Sequence, residues 1–320
     1  MKAIRVQQFG DPDVLQLAEV PDLTPGPGQI LVRLHAAGVN PVETYIRTGK
    51  YAKLPPLPYT PGGDGAGTIA AFGTDVTGWK VGARVYLSGS VTGTYAEQTL
   101  SEPFQVHPLP DALTFPQGAA LGIPYATAHV ALFHRGQAQA GETILIHGAT
   151  GGVGSAAVQI ALAAGLRVFA TGGSEEGRAL LQREGVHAVF DHHAADYMQQ
   201  ILEATDGRGV NLILELLANV NLGKDLPMLA TGGRVIVVGS RGPVEINPRD
   251  LMSRNADIRG VMLTALPPAI VAETHRALGE SLERGTLRPV VARTYPLVEA
   301  PQAHAAVMSP GAIGKIVLLT

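Results

Sequence analysis

The chain of 320 residues has no cysteine, a single tryptophan and no long apolar run. Without cysteine it can form neither a disulfide nor a thiolate metal site. No apolar stretch approaches the roughly 20 residues that a membrane-spanning helix needs. The formal charge is only −3 and there is no basic stripe, so nothing in the electrostatics favours nucleic acid or an anionic membrane as the main partner.

The first residues also lack the continuous apolar segment of a secretory signal, and residues 1–6 alternate in the manner of a half-buried strand. We therefore expect a cytoplasmic protein. Hydrophobic residues make up 46% of the chain and charged residues 16%, which allows a large buried core. The length corresponds to about two domains of roughly 100–200 residues each.

The N-terminal part of the chain is rich in glycine, proline and short strands. Strands are predicted at 30–34, 67–71 and 84–87, each bounded by turn residues. Many strands with few helices predict a compact, mainly antiparallel or barrel-like domain. A predicted final strand at 315–319 is expected to rejoin it, so the expected domains are 1–117 with 264–320, and 118–263.

In the middle of the chain, strands and helices alternate. Predicted strands lie at 143–147, 166–171, 187–190, 210–214, 234–238 and 258–262, and predicted helices at 118–133 (with breaks near 122 and 124), 152–164, 175–184, 194–205 and 268–284. This alternation implies right-handed crossovers and a doubly wound parallel sheet. The predicted fold class is therefore α/β.

Residues 143–154 read TILIHGATGGVG, a buried strand that breaks into glycines and then an alanine-rich helix. Gly151 and Gly152 allow the backbone to approach a phosphate, and Gly154 allows the helix to pack tightly on the strand. The helix N-terminus offers unpaired N–H groups and a partial positive charge. The segment predicts a turn that binds a dinucleotide pyrophosphate; the alternative is a purely structural glycine turn.

The choice between NAD and NADP depends on the end of the second strand of this sheet. An acidic residue that would bind the ribose 2′-hydroxyl of NAD is absent from residues 170–174. We therefore expect NADPH, with Ser174, Arg178 and Arg241 as candidate contacts of its 2′-phosphate, although Glu175 and Glu176 lie close by. For Arg178, a solvated position on its helix without a role in cofactor binding is an equally favoured interpretation.

Longer strings carry a more specific likeness: 37–47 (AGVNPVETYIR), 217–222 (LANVNL), 232–241 (GGRVIVVGSR) and 245–250 (EINPRD). With them the chain resembles, over essentially its whole length, the zinc-free quinone oxidoreductase (zeta-crystallin) branch of the medium-chain dehydrogenase/reductase superfamily. The resemblance implies a GroES-like catalytic domain, a Rossmann domain that binds NADPH, and a homodimer or homotetramer.

The resemblance also implies which positions contact NADPH. They are Tyr45, Thr150, Gly151, Gly152, Val153, Gly173, His192, Asn221, Val238, Gly239, Ser240, Arg241, Val261, Met262 and Leu263. From the residues alone, His192 would be a surface histidine beside His193.

The zinc-dependent alcohol dehydrogenases of the same superfamily are the main alternative. Their catalytic zinc needs a cysteine after the Gly-Val pair and a His-Glu pair in the next glycine-rich segment, where this chain has Asn40 and Gly63-Asp64. Their structural zinc needs four cysteines. The sequence therefore predicts no metal, and an acceptor already activated by conjugation.

A quinone or an α,β-unsaturated carbonyl fits that requirement, with the nicotinamide supplying the hydride. Asn40 and Tyr45 are candidate donors to the carbonyl oxygen, and Thr127 is a candidate to face the nicotinamide. Alternatively, Asn40 orders its turn and Tyr45 packs on the cofactor. Two other functions remain open: an enone or enoyl reductase, and an NADPH-binding protein with a structural or RNA-binding role.

Overall fold

The computed structural model describes all 320 residues, in fifteen strands and ten α-helices. The strands are β1 Lys2–Arg5, β2 Gln16–Glu19, β3 Ile30–Val39, β4 Asp64–Phe72, β5 Arg84–Ser88, β6 Gln98–Ser101, β7 Val106–Pro108, β8 Thr143–Ile146, β9 Arg167–Thr171, β10 Ala188–Phe190, β11 Val210–Glu215, β12 Leu229–Val237, β13 Asp257–Gly260, β14 Val291–Pro296 and β15 Lys315–Leu319. The helices are α1 Pro41–Arg47, α2 Phe115–Gly118, α3 Gly122–His129, α4 Gly152–Ala163, α5 Glu175–Arg183, α6 Tyr197–Glu203, α7 Ala218–Asp225, α8 Pro248–Met252, α9 Pro268–Glu283 and α10 Ala300–Val307.

The chain divides into two compact units. The first consists of Met1–Pro124, Gly279–Glu283 and Arg288–Thr320, and the second of Tyr125–Leu278 and Arg284–Leu287. No helix is both long and apolar enough to cross a membrane.

The first unit is built on a seven-stranded sheet in the order β14-β15-β3-β4-β5-β7, with β6 also paired to β3. All its pairings are antiparallel except that of β14 with β15. The last strand, β15, lies against β3 with Ile316 opposite Val39, so the end of the chain completes the sheet. This pairing brings Lys315 beside the carboxyl end of β3.

The second unit is built on a parallel sheet of six strands in the order β10-β9-β8-β11-β12-β13. Ile144, Leu145 and Ile146 of β8 are fully buried, as expected for a strand covered on both faces. The strand order reverses at β8, and the carboxyl ends of β8, β9 and β11 meet there at one edge. Ligands of open parallel sheets bind at such a reversal. The predicted α/β class with a doubly wound sheet is confirmed.

Two predicted helices differ from the structure. The predicted helix at 118–133 is divided into α2, α3 and a π-helical turn at Val130–Arg135. The predicted helix at 194–205 begins only at Tyr197, because the Asp191 side chain accepts a hydrogen bond from the backbone N–H of His193 and holds the preceding residues in a turn. Local side-chain bonds of this kind compete with the helix.

Candidate cofactor and substrate site

The turn between β8 and α4 has the geometry of a phosphate cradle. Gly148 has a φ of +58°, which a glycine adopts readily. A Cβ on Gly154 would lie 2.2 Å from the carbonyl oxygen of Gly148, so only glycine allows α4 to pack this closely. A Cβ on Gly151 would meet nothing nearer than 3.6 Å, and the N-terminus of α4 therefore faces open space. Thr150 and Val153 flank these glycines.

The segment after β9 is shaped by side chains that contact one another. A Cβ on Gly173 would lie 2.9 Å from the ring of His192, so the glycine leaves room for that ring. Burial, followed by the neighbouring His193, lowers the pKa of His192. The Ser174 hydroxyl accepts a hydrogen bond from the N–H of Gly177 and caps α5.

Arg178 is already engaged within the protein. Its guanidinium donates to the carbonyl of Gly172 at 3.2 Å and forms an ion pair with Asp191 at 2.9 Å. The sequence singled out Arg178 but not this partner, which lies 13 residues further along the chain. Arg241, in contrast, has an exposed side chain, and its backbone N–H donates to the Asn219 side chain at 2.8 Å.

The remaining predicted cofactor contacts lie after the carboxyl ends of β11, β12 and β13. Asn221 donates to the Glu215 carboxylate at 3.3 Å. The N–H groups of Val238 and Gly239 donate to the carbonyl of Glu215, and the Ser240 hydroxyl donates to the carbonyl of Gly242. Val261 donates to Val237 at 3.1 Å; Met262 is exposed and Leu263 half-buried. Since these strands are parallel, their carboxyl ends share the sheet edge of the glycine turn.

Thr127 lies on α3 in the second unit and is buried. Its neighbour Tyr125 donates a hydrogen bond to the Gln159 side chain at 3.0 Å, which ties α3 to α4. Asn40 and Tyr45 belong to the first unit, where Asn40 precedes α1 and Tyr45 is half-buried on it.

Asn40 is the centre of a buried polar network. Its side-chain amide donates to Asp64 at 2.8 Å and to Glu43 at 3.3 Å, and its oxygen accepts from the Lys315 ammonium. Lys315 also pairs with Asp64 at 2.8 Å. Both amide hydrogens of Asn40 are thus used within the protein.

The network continues from Glu43 to Tyr95 and to His304 on α10. The Glu43 carboxylate accepts from the hydroxyl of Tyr95 at 2.6 Å, and that hydroxyl also contacts His304 at 3.0 Å. Burial raises the pKa of Glu43, although the bonds from Tyr95 and from the backbone of Asn40 oppose the shift. Burial, followed by the nearby Glu43 charge, raises the pKa of the Tyr95 hydroxyl.

These residues do not fit a catalytic zinc ion. Asn40 and Asp64 stand where zinc-dependent relatives carry ligands, but the Lys315 ammonium bonds to both side chains. Zinc needs nitrogen, thiolate or carboxylate ligands free to converge in a tetrahedron. Here a cationic side chain already lies at that position, so we derive no step through a metal.

Two protein families match separate parts of the chain. Residues 26–111 match the family described as "Alcohol dehydrogenase GroES-like domain", and residues 152–279 match "Zinc-binding dehydrogenase". The quinone oxidoreductase of Rattus norvegicus is 50% identical over 321 residues, covering 100% of this chain and 98% of its own. The quinone oxidoreductase of Homo sapiens is 47% identical with the same coverage.

A solved structure described as Escherichia coli quinone oxidoreductase complexed with NADPH covers both chains fully, with 27% identity and a TM-score of 0.91. The chain is therefore a member of the medium-chain dehydrogenase/reductase superfamily, with a GroES-like domain and a Rossmann domain. Within that superfamily it belongs to the quinone oxidoreductase family.

Proposed function

We propose that this protein is an NADPH-dependent quinone oxidoreductase. The observation that carries the proposal is the identity of about half of all residues, over the whole chain, with proteins named quinone oxidoreductase. The lack of a carboxylate at 170–174 supports NADPH rather than NADH.

The residues present fit NADPH, because the turn keeps open space at Gly151 and the lack of a Cβ at Gly154 lets α4 pack closely against the turn. We assign the pyrophosphate to the backbone N–H groups at Thr150–Val153 and the N-terminus of α4. Arg241, exposed and without a carboxylate partner, is the first candidate for the 2′-phosphate. Ser174 and Arg178 are secondary candidates, since each already has a partner within the protein.

NADPH, when bound, supplies a hydride to the substrate. On the protein side we assign Tyr45 as the hydrogen-bond donor to the substrate oxygen. Asn40 has no amide hydrogen left for that task, so we assign it a positioning role that fixes the start of α1. Thr127 keeps its proposed place facing the nicotinamide. His192 and the segment Val261–Leu263 complete the proposed cofactor contacts.

The test is substrate profiling with purified protein. NADPH oxidation would be followed with an ortho-quinone and, separately, with a simple enone, each with NADH as the control cofactor. We expect oxidation with the quinone and a preference for NADPH. Activity with the enone alone would move the protein to the enoyl-reductase class, and tight NADPH binding without turnover would favour a structural role.

A cytoplasmic location and a homodimeric or homotetrameric assembly are part of the proposal, and the assembly rests on the resemblance. The assembly is tested by light scattering coupled to size-exclusion chromatography. We propose no nucleic acid as the main partner, in keeping with the formal charge of −3.

A further inference from the structure

Three ionisable side chains meet directly beneath the glycine turn of the second unit. His147 follows β8, Glu215 ends β11 and Asp225 ends α7; we call them the His147 cluster. The Nε2 atom of His147 lies 2.9 Å from Asp225 Oδ1 and 3.9 Å from Glu215 Oε2. The two carboxylates are fully buried, and the histidine is 3% exposed.

The cluster lacks one hydrogen-bond donor. Glu215 Oε2 and Asp225 Oδ2 are buried and have no hydrogen-bond partner. If both carboxylates were ionised, their oxygens could only accept hydrogen bonds and their negative charges would repel each other. A proton held between them supplies the missing donor. Buried oxygens are otherwise costly to leave unsatisfied.

The surrounding elements supply few other charges. The charge of Lys224 on α7 opposes the rise in the pKa of His147, and the charge of His147 helps to lower the pKa of His192 after β10. Burial, followed by the charges of Asp225 and Glu215, raises the pKa of Tyr197 at the start of α6. The Thr171 hydroxyl at the end of β9 contacts His147 Nδ1 at 3.3 Å. The cluster therefore has one basic and two acidic groups in direct contact, and no second cation that touches them.

Glu215 directly, and His147 through Thr171, are bonded to the loops that carry the proposed cofactor contacts, whereas Asp225 is bonded to His147. The Glu215 carboxylate accepts from the backbone N–H of Leu217 and from the side chain of Asn221. The Thr171 hydroxyl that contacts His147 also accepts from the N–H of Gly148 at 3.3 Å. The loops after β8, β9 and β11 are thus joined through these side chains.

We propose that the His147 cluster positions the NADPH-binding loops through a proton shared by Glu215 and Asp225, so that NADPH affinity falls when this proton is lost. The inference rests on the proposed function, since it concerns the same cofactor site. Burial raises the pKa of Glu215 to about 7, against the opposing effect of His147. Loss of the proton near neutral pH would leave facing negative charges and push the loops apart.

Isosteric amides provide the test, because an amide N–H permanently replaces the shared proton. In Glu215→Gln the new N–H can donate to Asp225 while the remaining oxygen still accepts from Leu217. NADPH dissociation constants would be measured by fluorescence titration at about pH 6 and about pH 8.5. When the pH is raised from about 6 to about 8.5, the ratio of the wild-type dissociation constant for NADPH to that of Glu215→Gln should rise about five- to tenfold. The 2′-phosphate of NADPH titrates equally with every variant and cancels in this ratio.

Glu203→Gln serves as the matched control, since Glu203 is exposed on α6 of the same unit, and should keep the wild-type pH profile. Asp225→Asn places the amide on the other partner and should flatten the profile as Glu215→Gln does. If either amide variant fails to fold, the other provides the comparison. The melting temperature of the cofactor-free protein gives a second readout. A carboxyl whose pKa is raised on folding stabilises the fold below its ordinary pKa, and that contribution is lost as the pH rises towards 7.

Parallel pH profiles for wild type and Glu215→Gln, in affinity and in melting temperature, would overturn the proposal. A stoichiometric transition metal in purified wild type that disappears in Glu215→Gln would overturn it too, because the cluster would then be a metal site. If wild type binds NADPH but shows no such pH dependence, only this inference fails. Absence of NADPH binding at every pH would instead contradict the proposed function.

Discussion

Replacing Lys315 with methionine should destabilise the first unit strongly. The substitution keeps much of the side-chain length but removes the ammonium that pairs with Asp64 at 2.8 Å and donates to Asn40. Lys315 is 4% exposed and Asp64 is fully buried, so water cannot replace the lost partner. Removing one member of such a buried pair costs about 3–5 kcal/mol, whereas exposed pairs contribute about 1 kcal/mol or less.

The free energy of unfolding would be measured by urea denaturation, with Lys80→Met, an exposed lysine of the same unit, as the control. Adding Asp64→Asn to Lys315→Met removes the uncompensated charge and should restore about 2 kcal/mol. A loss below about 1 kcal/mol for Lys315→Met would refute the reasoning, since the ion pair would then behave like an exposed one.

Four further substitutions test the cofactor and substrate assignments. Arg241→Ala should weaken NADPH binding about tenfold, with little change for NADH, because it removes a charged partner of the 2′-phosphate; equal losses for both in a titration would reject that assignment. Gly154→Ala should lower the free energy of unfolding by about 1–3 kcal/mol, because its Cβ would clash with Gly148. Gly151→Ala should leave stability near wild type and weaken NADPH binding. A destabilised Gly151→Ala variant beside a Gly154→Ala variant of wild-type stability would contradict the geometry of the turn. Tyr45→Phe should lower kcat for the quinone by about tenfold or more without changing the Kd of NADPH, and an unchanged kcat would leave Tyr45 only a packing role.

The parts of the structure that sequence predicted best are local. The strand, turn and helix at 143–163 depend on glycine spacing and apolar periodicity within one short segment, and the structure has β8 and α4 there. The parallel, doubly wound arrangement of the six-stranded sheet follows from the alternation of strands and helices.

The polar networks could not be predicted, because their partners are distant in the sequence. Lys315 lies 275 residues from Asn40 and 251 from Asp64, and His147 lies 78 residues from Asp225. The sequence held a weak signal of the Lys315 network, because Lys315 is the only charged residue in the last strand. The string at 37–47 contains both Asn40 and Glu43, but the sequence did not show that the carboxylates of Glu43 and Asp64 accept from the Asn40 amide. The pairing of β15 with β3 brings Lys315 to Asn40, which no local pattern in the sequence could indicate.

We propose that the protein passes a hydride from NADPH to a quinone without help from a metal ion. The most direct measurement is a single turnover in which protein treated with a chelator and mixed with an equivalent of NADPH meets excess ortho-quinone. We expect stoichiometric NADPH oxidation at the same rate as in untreated protein. Loss of the reaction after chelation, or NADPH oxidation that does not depend on the quinone, would contradict the account.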